Sequence, residues 1–250
     1  MAMKRFVLVV LIGFTWGALA QIGIHSHNDY AQPQPLHGAL EANASSIEVD
    51  VILKDSILYV AHEFESIDSA KTLQSAYIEP LLRLVLNEDP RVRNLCLLID
   101  IKTEAYQSLE AVIEATEALE PFTYPSKDSG MRLVISGNRP LPKDYSNYPN
   151  HIFFDCQEID QTPIESWSKV AMISQSFRRF SNWNGEATLT KDHRKRLTSF
   201  IKKAKAYDKP VRLWAVPDTP KAWNWSVESG LDYINTDQPL RVREYLDGAN

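Results

Sequence analysis

The feature that most constrains the fold of this 250-residue chain is a regular alternation of short apolar runs with amphipathic segments. The runs predicted to be strands are 22–27, 46–53, 95–102, 132–136, 152–156, 170–174, 211–216 and 233–236, with a short extra strand at 58–62. Alternating β and α elements indicate a parallel sheet covered by helices. Eight such units favour a closed α/β barrel, the TIM (β/α)8 fold, formed by one domain over residues 21–250.

The first twenty residues differ from this pattern. Lys4 and Arg5 precede an apolar segment at 6–19, and Ala18-Leu19-Ala20 fits a small-x-small cleavage site. The apolar segment is short for a bilayer span, which argues against a stable membrane anchor. The pattern predicts a signal peptide at 1–20, a mature chain that begins at Gln21, and a secreted or periplasmic location.

Composition limits the partners that the chain is expected to bind. The sequence holds 27 Lys and Arg residues against 32 Asp and Glu residues, a formal net charge of −5, without basic clusters. This balance argues against nucleic acid as a partner and against strong attraction to anionic membranes. Cys96 and Cys156 both lie in strand-like runs, and export would permit a disulfide, but buried free thiols fit the pattern equally well. No sequence feature indicates an oligomeric state.

Two predicted strands carry acidic residues where a barrel strand should be apolar. Glu48 and Asp50 share one face of the second strand, and Asp100 and Lys102 share one face of the third. Carboxylates inside a barrel need a partner charge or a metal. One interpretation is therefore a salt bridge from Lys102 to these acids. The other is a site for Mg²⁺ or Ca²⁺ built from Glu48, Asp50 and Asp100, because hard cations prefer oxygen ligands.

Histidines end two of the strands next to these acids. His25 and His27 share a face at the end of the first strand, and His62 ends the short extra strand. A single histidine at a strand end is more often structural than catalytic. Two segments that converge beside an acidic cluster favour catalysis, since cleavage of a phosphodiester needs a base and an acid, and histidine serves as both near neutral pH.

These motifs together resemble the superfamily of glycerophosphodiester phosphodiesterases and phosphatidylinositol-specific phospholipase C. The motifs that carry the resemblance are His25-Ser26-His27-Asn28-Asp29-Tyr30, Ser46-Ile47-Glu48-Val49-Asp50-Val51, Val60-Ala61-His62-Glu63, Leu98-Ile99-Asp100-Ile101-Lys102, Leu213-Trp214-Ala215-Val216 and Asn235-Thr236-Asp237-Gln238-Pro239. The start of the first motif is most similar to an uncharacterised bacterial and fungal branch. The resemblance implies an eight-stranded barrel and a metal-dependent phosphoric diester hydrolase.

The resemblance also implies roles for individual residues. Its metal-binding acids match Glu48, Asp50 and Asp100, and its second catalytic histidine matches His62. The first catalytic histidine matches either His25 or His27, and the spacing to Glu48 favours His27. Lys102 matches a lysine near the phosphate. Trp214 matches an aromatic substrate contact, and Asn28 is a further candidate for the pocket. The implied substrate is a small-molecule or lipid-headgroup phosphodiester, such as a glycerophosphodiester or phospholipid.

The chain departs from the glycerophosphodiesterase pattern at two of these positions. Asn28 and not arginine follows His27, and Asp100 stands where that family usually has glutamate. Two other functions remain open. His25-x-His27 at the end of the first strand is also the metal motif of amidohydrolases and related phosphoesterases. The barrel could otherwise be an exported binding protein whose site is catalytically silent.

Overall fold

The computed structural model describes residues 22–248, and their strands form a nearly closed parallel barrel. The strands are β1 Gly23–Ser26, β2 Ser46–Lys54, β3 Ile57–Val60, β4 Cys96–Ile101, β5 Arg132–Gly137, β6 Ile152–Cys156, β7 Val170–Ser176, β8 Val211–Trp214 and β9 Tyr233–Thr236. Their order in the sheet is β8-β7-β6-β5-β4-β2-β1-β9, and β3 pairs with β2 alone. The predicted α/β barrel is therefore confirmed.

Helices follow most of the barrel strands. They are α1 His37–Glu41, α2 Glu79–Leu86, α3 Ala105–Thr116, α4 Lys191–Lys205, α5 Pro220–Glu228 and α6 Pro239–Gly248. Between β5 and β6, and between β6 and β7, the chain crosses through 3-10 turns such as Pro142–Asn147 and Ile164–Lys169. Across residues 22–248, none of the helices has the length and apolar character that a bilayer crossing requires.

The barrel has a seam between its first and last strands in sheet order, β8 and β9. Within the described residues these two strands share no ladder, and Asp232, just before β9, donates a backbone hydrogen bond to Val211 of β8 over 3.1 Å. Side chains also cross the seam, since Arg212 on β8 donates to the Asn235 side chain on β9 over 3.3 Å. Contacts between polar side chains thus join β8 and β9 where a backbone ladder is missing.

The extra strand β3 forms an arm that rises from the barrel. Val51–Lys54 of β2 pairs antiparallel with Ile57–Val60, and the two-residue turn between them is Asp55-Ser56. Both turn residues have positive φ, 50° and 63°. Two-residue hairpin turns need this conformation, because only then does the twist of the turn match the twist of the two strands. After β3 the chain comes back to the carboxyl end of the barrel next to Asp50. His62, which follows β3, therefore contacts the Asp50 carboxylate.

The interior of the barrel is divided into an apolar and a polar level. The apolar level contains the buried residues Cys96, Leu98, Val134, Phe153 and Met172. Above it, towards the carboxyl ends of the strands, lies what we call the interior polar layer: His25, Glu48, Ser136, Asp155, Ser174, Arg212 and Asn235, all of them buried. Active sites of such barrels lie at the carboxyl ends of the strands, on the side of this layer.

The two cysteines lie on strands that are not neighbours. Cys96 begins β4 and Cys156 ends β6, with β5 between them. Both are buried free thiols, so the disulfide that export would permit is not formed. Residues 1–21, with the predicted signal peptide and the start at Gln21, lie outside the described residues.

Candidate metal and acid/base site

Three carboxylates converge at the carboxyl ends of β2 and β4. The pairing of Asp50 with Asp100 in the parallel ladder sets them side by side, and Glu48 lies two residues earlier on the same face. Glu48, Asp50 and Asp100, called the carboxylate triad below, each offer an oxygen within 4.8 Å of the others. Burial, followed by the neighbouring acids, raises the pKa of Asp100 to about 6 despite the nearby charge of Lys102.

The two carboxylate oxygens of Asp50 differ in the number of contacts that they make. Oδ2 accepts from the Tyr30 hydroxyl (2.8 Å) and from His62 Nδ1 (2.7 Å), and it lies 3.2 Å from Lys102 Nζ. Oδ1 is buried and accepts no hydrogen bond from any residue in the range 22–248. A buried carboxylate oxygen without a donor is costly, and a bound cation would satisfy it. The donor set therefore fits a divalent cation.

The predicted salt bridge from Lys102 is also present. Lys102 Nζ lies 3.2 Å from Asp50 and 3.0 Å from Asp100, so the ion pairs that this interpretation predicted with these two acids are formed. It does not balance the site, however, because one ammonium faces two carboxylates while Glu48 is paired separately. The site therefore keeps an excess of negative charge, which a cation bound beside the lysine would neutralise.

Arg212, which the sequence analysis missed, pairs with Glu48. Its side chain is 3% exposed, Nη1 contacts both Glu48 Oε2 and His25 Nε2, and Nη2 lies 3.9 Å from Asp155. Burial is the largest single influence on Glu48 and raises its pKa, but Arg212, the hydrogen bond with His25 and the neighbouring histidine rings together outweigh it and hold the pKa of Glu48 well below its usual range. A charged residue within the apolar run 211–216 was the signal that could have revealed it.

The two histidines of the first motif occupy different environments. His25 is fully buried in the interior polar layer, with Nδ1 2.8 Å from Ser46 Oγ and Nε2 2.8 Å from Glu48 Oε2. Burial, aided by Arg212, lowers the pKa of His25 to about 3, so the ring is neutral. His27 instead lines the open cleft, with Nε2 3.7 Å from Glu48 Oε1. Of the two candidates, only His27 can reach a substrate in the cleft.

Asp237 orients the ring of His27. Nδ1 lies 2.7 Å from Asp237 Oδ1, which turns the opposite nitrogen towards Glu48. Burial alone would lower the pKa of His27, but the hydrogen bond to Asp237 and the charges of Glu48 and Asp237 raise it overall. Asn28, predicted to contact substrate, is left-handed at φ 47° and directs its amide to His27 (3.0 Å) and Asp237 (3.4 Å). Its contacts therefore support the histidine.

His62 reaches the triad from the β3 arm. Its Nδ1 is held by Asp50, and 60% of its side chain remains exposed to solvent. The opposite ring nitrogen is therefore accessible from the cleft that His62 lines. His27 and His62 thus approach the carboxylate triad from two separate segments, as the sequence predicted.

These groups surround a cleft of about 440 Å³ at the carboxyl ends of the strands. The predicted site residues that line it are His27, Glu48, His62, Asp100, Lys102 and Trp214. Arg212 and Gln157 line it as well, and neither was predicted from the sequence. A groove with charged groups on its floor and an aromatic side chain on its wall can hold a phosphate together with an organic substituent.

Gly137 on β5 closes the cleft beside the carboxylate triad. Its φ is +66°, and a Cβ atom there would overlap the Asp100 carboxylate and lie 2.5 Å from the Ile101 carbonyl oxygen. Any other residue at this position would therefore displace Asp100. Glycine is required here both for the backbone conformation and for the close approach.

The histidines that an amidohydrolase-like metal site would need are placed elsewhere. His151 lies before β6, 3.5 Å from Glu120, and His193 on α4 contacts Ser181 over 2.9 Å. Within residues 22–248 the carboxylate triad is the one group of three or more potential ligand side chains that come this close together. The geometry therefore gives no support to the amidohydrolase interpretation.

Proteins described as phosphodiesterases are among those to which this chain is similar. Residues 15–94 match a family model described as the AIM6-like phosphodiesterase domain. A similar protein, from Arthroderma benhamiae, is named altered inheritance of mitochondria protein 6 homolog. It is 26% identical over 271 aligned positions, which cover 91% of this chain and 85% of that protein.

Solved structures of phosphodiesterases share the fold. A glycerophosphodiester phosphodiesterase from Parabacteroides distasonis matches with a TM-score of 0.58 at 14% identity, over 92% of this chain and 98% of that one. A calcium-dependent phosphoinositol-specific phospholipase C from a Pseudomonas species matches with a TM-score of 0.55 at 12% identity, over 88% and 89%. The chain thus has the fold of the PLC-like phosphodiesterase superfamily, and the resemblance predicted from its motifs is confirmed.

Proposed function

We propose that this chain is an exported, metal-dependent phosphoric diester hydrolase acting on a glycerophosphodiester or a phospholipid-type substrate. The observation that carries the proposal is the convergence of Glu48, Asp50 and Asp100 within 4.8 Å, with His27 and His62 beside them in one cleft. The apolar segment at 6–19 supports export.

The carboxylate triad is the proposed binding site for the cation. Glu48, Asp50 and Asp100 offer only oxygen atoms, and these suit Mg²⁺ or Ca²⁺ better than a softer metal. A divalent cation held there would polarise a phosphate oxygen and offset charge that develops in the reaction. Lys102 lies next to the triad and would bind another oxygen of the same phosphate.

The two histidines are the proposed acid and base. Each has Nδ1 fixed by a carboxylate, Asp237 for His27 and Asp50 for His62, so that Nε2 is the nitrogen left to exchange a proton. One ring takes a proton from the attacking water molecule, or from a neighbouring hydroxyl of the substrate where it has one, as the new P–O bond forms. The other ring donates a proton to the leaving alcohol oxygen as the old P–O bond breaks. Trp214 would pack against the organic substituent.

Hydrolysis of bis(p-nitrophenyl) phosphate by the chain from Gln21 tests this proposal. Activity is measured in EDTA and after addition of Mg²⁺ or Ca²⁺, and cation binding is measured by calorimetry. We expect activity that depends on the cation. We also expect His62→Ala to lower kcat by about a hundredfold or more, because proton transfer by a positioned side chain contributes about that much.

Matched variants separate chemistry from folding. His37→Ala removes an exposed histidine on α1, and Glu110→Gln neutralises an exposed acid on α3, so both should behave as the unmodified chain. Asp100→Asn should weaken cation binding. If no cation binds and no phosphodiester is cleaved, the chain is a silent binding barrel and the proposal is wrong.

A further inference from the structure

A second cavity adjoins the cleft. It has a volume of about 520 Å³ and lies over the carboxyl ends of β5 and β6. Gly137, Asn138 and Gln157 line both cavities, so the two spaces share a wall. A substrate whose phosphate lies at the carboxylate triad could therefore extend a substituent into the second cavity.

Arg139 lines the second cavity, and its two hydrogen-bond partners there are uncharged. Its Nη1 donates to the Gly137 carbonyl over 2.9 Å, and its Nε donates to the Tyr145 hydroxyl over 3.2 Å. Among residues 22–248 no carboxylate forms an ion pair with this half-buried guanidinium. Both of its partners are neutral, and its remaining N–H groups are available to a ligand.

The other charges around the second cavity do not cancel that of Arg139. Glu158 is an acidic residue on its wall, and it is paired with Arg179 over 2.9 Å. Lys143 adds an exposed ammonium that forms no ion pair within the described part of the chain. The cavity therefore presents an excess of positive charge to a ligand, although the net charge of the whole chain is −5.

Arg139 is also close to the proposed reaction centre. Gly137, whose carbonyl it binds, packs directly against Asp100 of the carboxylate triad. Arg139 follows Gly137 by two residues, which is at most about 7 Å of extended chain. A substituent of a few atoms on the phosphodiester would span this distance.

We propose that the second cavity binds an anionic group on the substituent of the phosphodiester substrate, with Arg139 as its main contact. The substrate class is thus a phosphodiester whose alcohol carries a second phosphate or a carboxylate. Arginine suits this task because its planar guanidinium binds either group through two parallel hydrogen bonds. This inference rests on the proposed function, since it describes the substrate of the same site.

Two matched pairs of substrates test the inference. Glycerophosphoinositol 4-phosphate differs from glycerophosphoinositol by one phosphate, and glycerophosphoserine differs from glycerophosphoethanolamine by one carboxylate. We expect kcat/KM to be about tenfold higher for the anionic member of at least one pair, an effect of about 1.4 kcal/mol. The pair that shows the difference identifies the anionic group.

Variants assign this preference to Arg139. Arg139→Gln should bring the ratio within the pair from about ten to about one, and Arg139→Lys should retain part of it because the charge remains. Arg83→Gln, which removes an exposed guanidinium on α2, should leave the ratio as it is. A ratio within one variant is insensitive to the fraction of protein that folds, so a partly unfolded preparation still gives an answer.

Failure of this inference can be told from failure of the proposed function. Equal rates within both pairs, or a preference that survives in Arg139→Gln, would overturn the anion-binding cavity while leaving the phosphodiesterase intact. If none of the four compounds is cleaved, their binding, measured by calorimetry, still tests whether the second cavity binds an anionic group. Tighter binding of the anionic members that Arg139→Gln abolishes supports the cavity, and equal binding rejects it.

Discussion

Replacing Arg212 by methionine tests the part of the site that lies deepest in the barrel. Methionine retains much of the length of the side chain and removes its charge. In the unmodified chain, the Arg212 guanidinium contacts Glu48 and lies 3.9 Å from Asp155, both buried acids. The substitution would leave these two carboxylates without a cation inside the barrel.

The expected loss of stability follows from these contacts. At 3.9 Å, a pair of opposite charges interacts by about 4 kcal/mol at an effective dielectric constant near 20. Breaking a buried ion pair by removing one partner lowers the free energy of unfolding by about 3–5 kcal/mol. We therefore expect Arg212→Met to lose about that amount at pH 7, a large share of the stability of a single domain.

The loss should depend on pH in a defined direction. In the unmodified chain the pKa of Glu48 is held well below its usual range, so its stabilising contribution is present at neutral pH and declines as pH falls. In Arg212→Met the largest influence that opposes burial is gone, so the pKa of Glu48 should lie higher than in the unmodified chain, and protonation then relieves the buried charge. The difference in stability between the two proteins should thus be largest near pH 7 and shrink towards pH 4.

Urea unfolding in EDTA at several pH values measures this difference without contributions from bound cations. The double variant Glu48→Gln with Arg212→Met should be less destabilised than the sum of the two single variants, since contacting charges are coupled. Arg83→Met on α2 serves as the control. A loss below about 1 kcal/mol at pH 7, or additive effects in the double variant, would refute the role assigned to Arg212.

Three further expectations can be checked directly. Gly137→Ala should lower the free energy of unfolding by about 2 kcal/mol, because of its left-handed backbone, and should weaken Ca²⁺ binding measured by calorimetry. Gly38→Ala, whose Cβ would meet open space, should do neither. Cys96 and Cys156 should react with a thiol reagent only after unfolding, and dithiothreitol should leave the melting temperature unchanged. Mass spectrometry of the protein purified from its source should find Gln21 as the first residue; an intact residue 1 would exclude cleavage.

The sequence predicted the barrel and the carboxylate triad because both depend on local patterns. An acidic residue that interrupts an apolar strand, as Glu48 and Asp50 do, is visible without knowledge of the fold. Parallel pairing then places Asp100 beside Asp50, as the alternation of strands and helices implied.

Contacts between distant strands could not be predicted in the same way. Arg212 follows Glu48 in the sequence by 164 positions and meets it only across the closed barrel. The orientation of His27 by Asp237 spans 210 positions and joins the two ends of the domain. The sequence also left His25 and His27 as alternatives, since both lie on one face of a strand. Only the depth of each residue in the barrel separates them.

The interior polar layer has a consequence for the evolution of barrels related to this one. Because Arg212 links Glu48 to Asn235 across the seam where the backbone ladder is missing, these residues would be retained by selection for folding alone. The presence of Glu48, Arg212 and Asn235 in a relative is therefore evidence of the fold, whether or not that relative is active. His62 is exposed at the end of the β3 arm and contributes little to packing, so another residue could replace it in a relative that has no catalytic activity. Under the proposed function, the presence of His62 is therefore the better indicator that a relative is catalytically active.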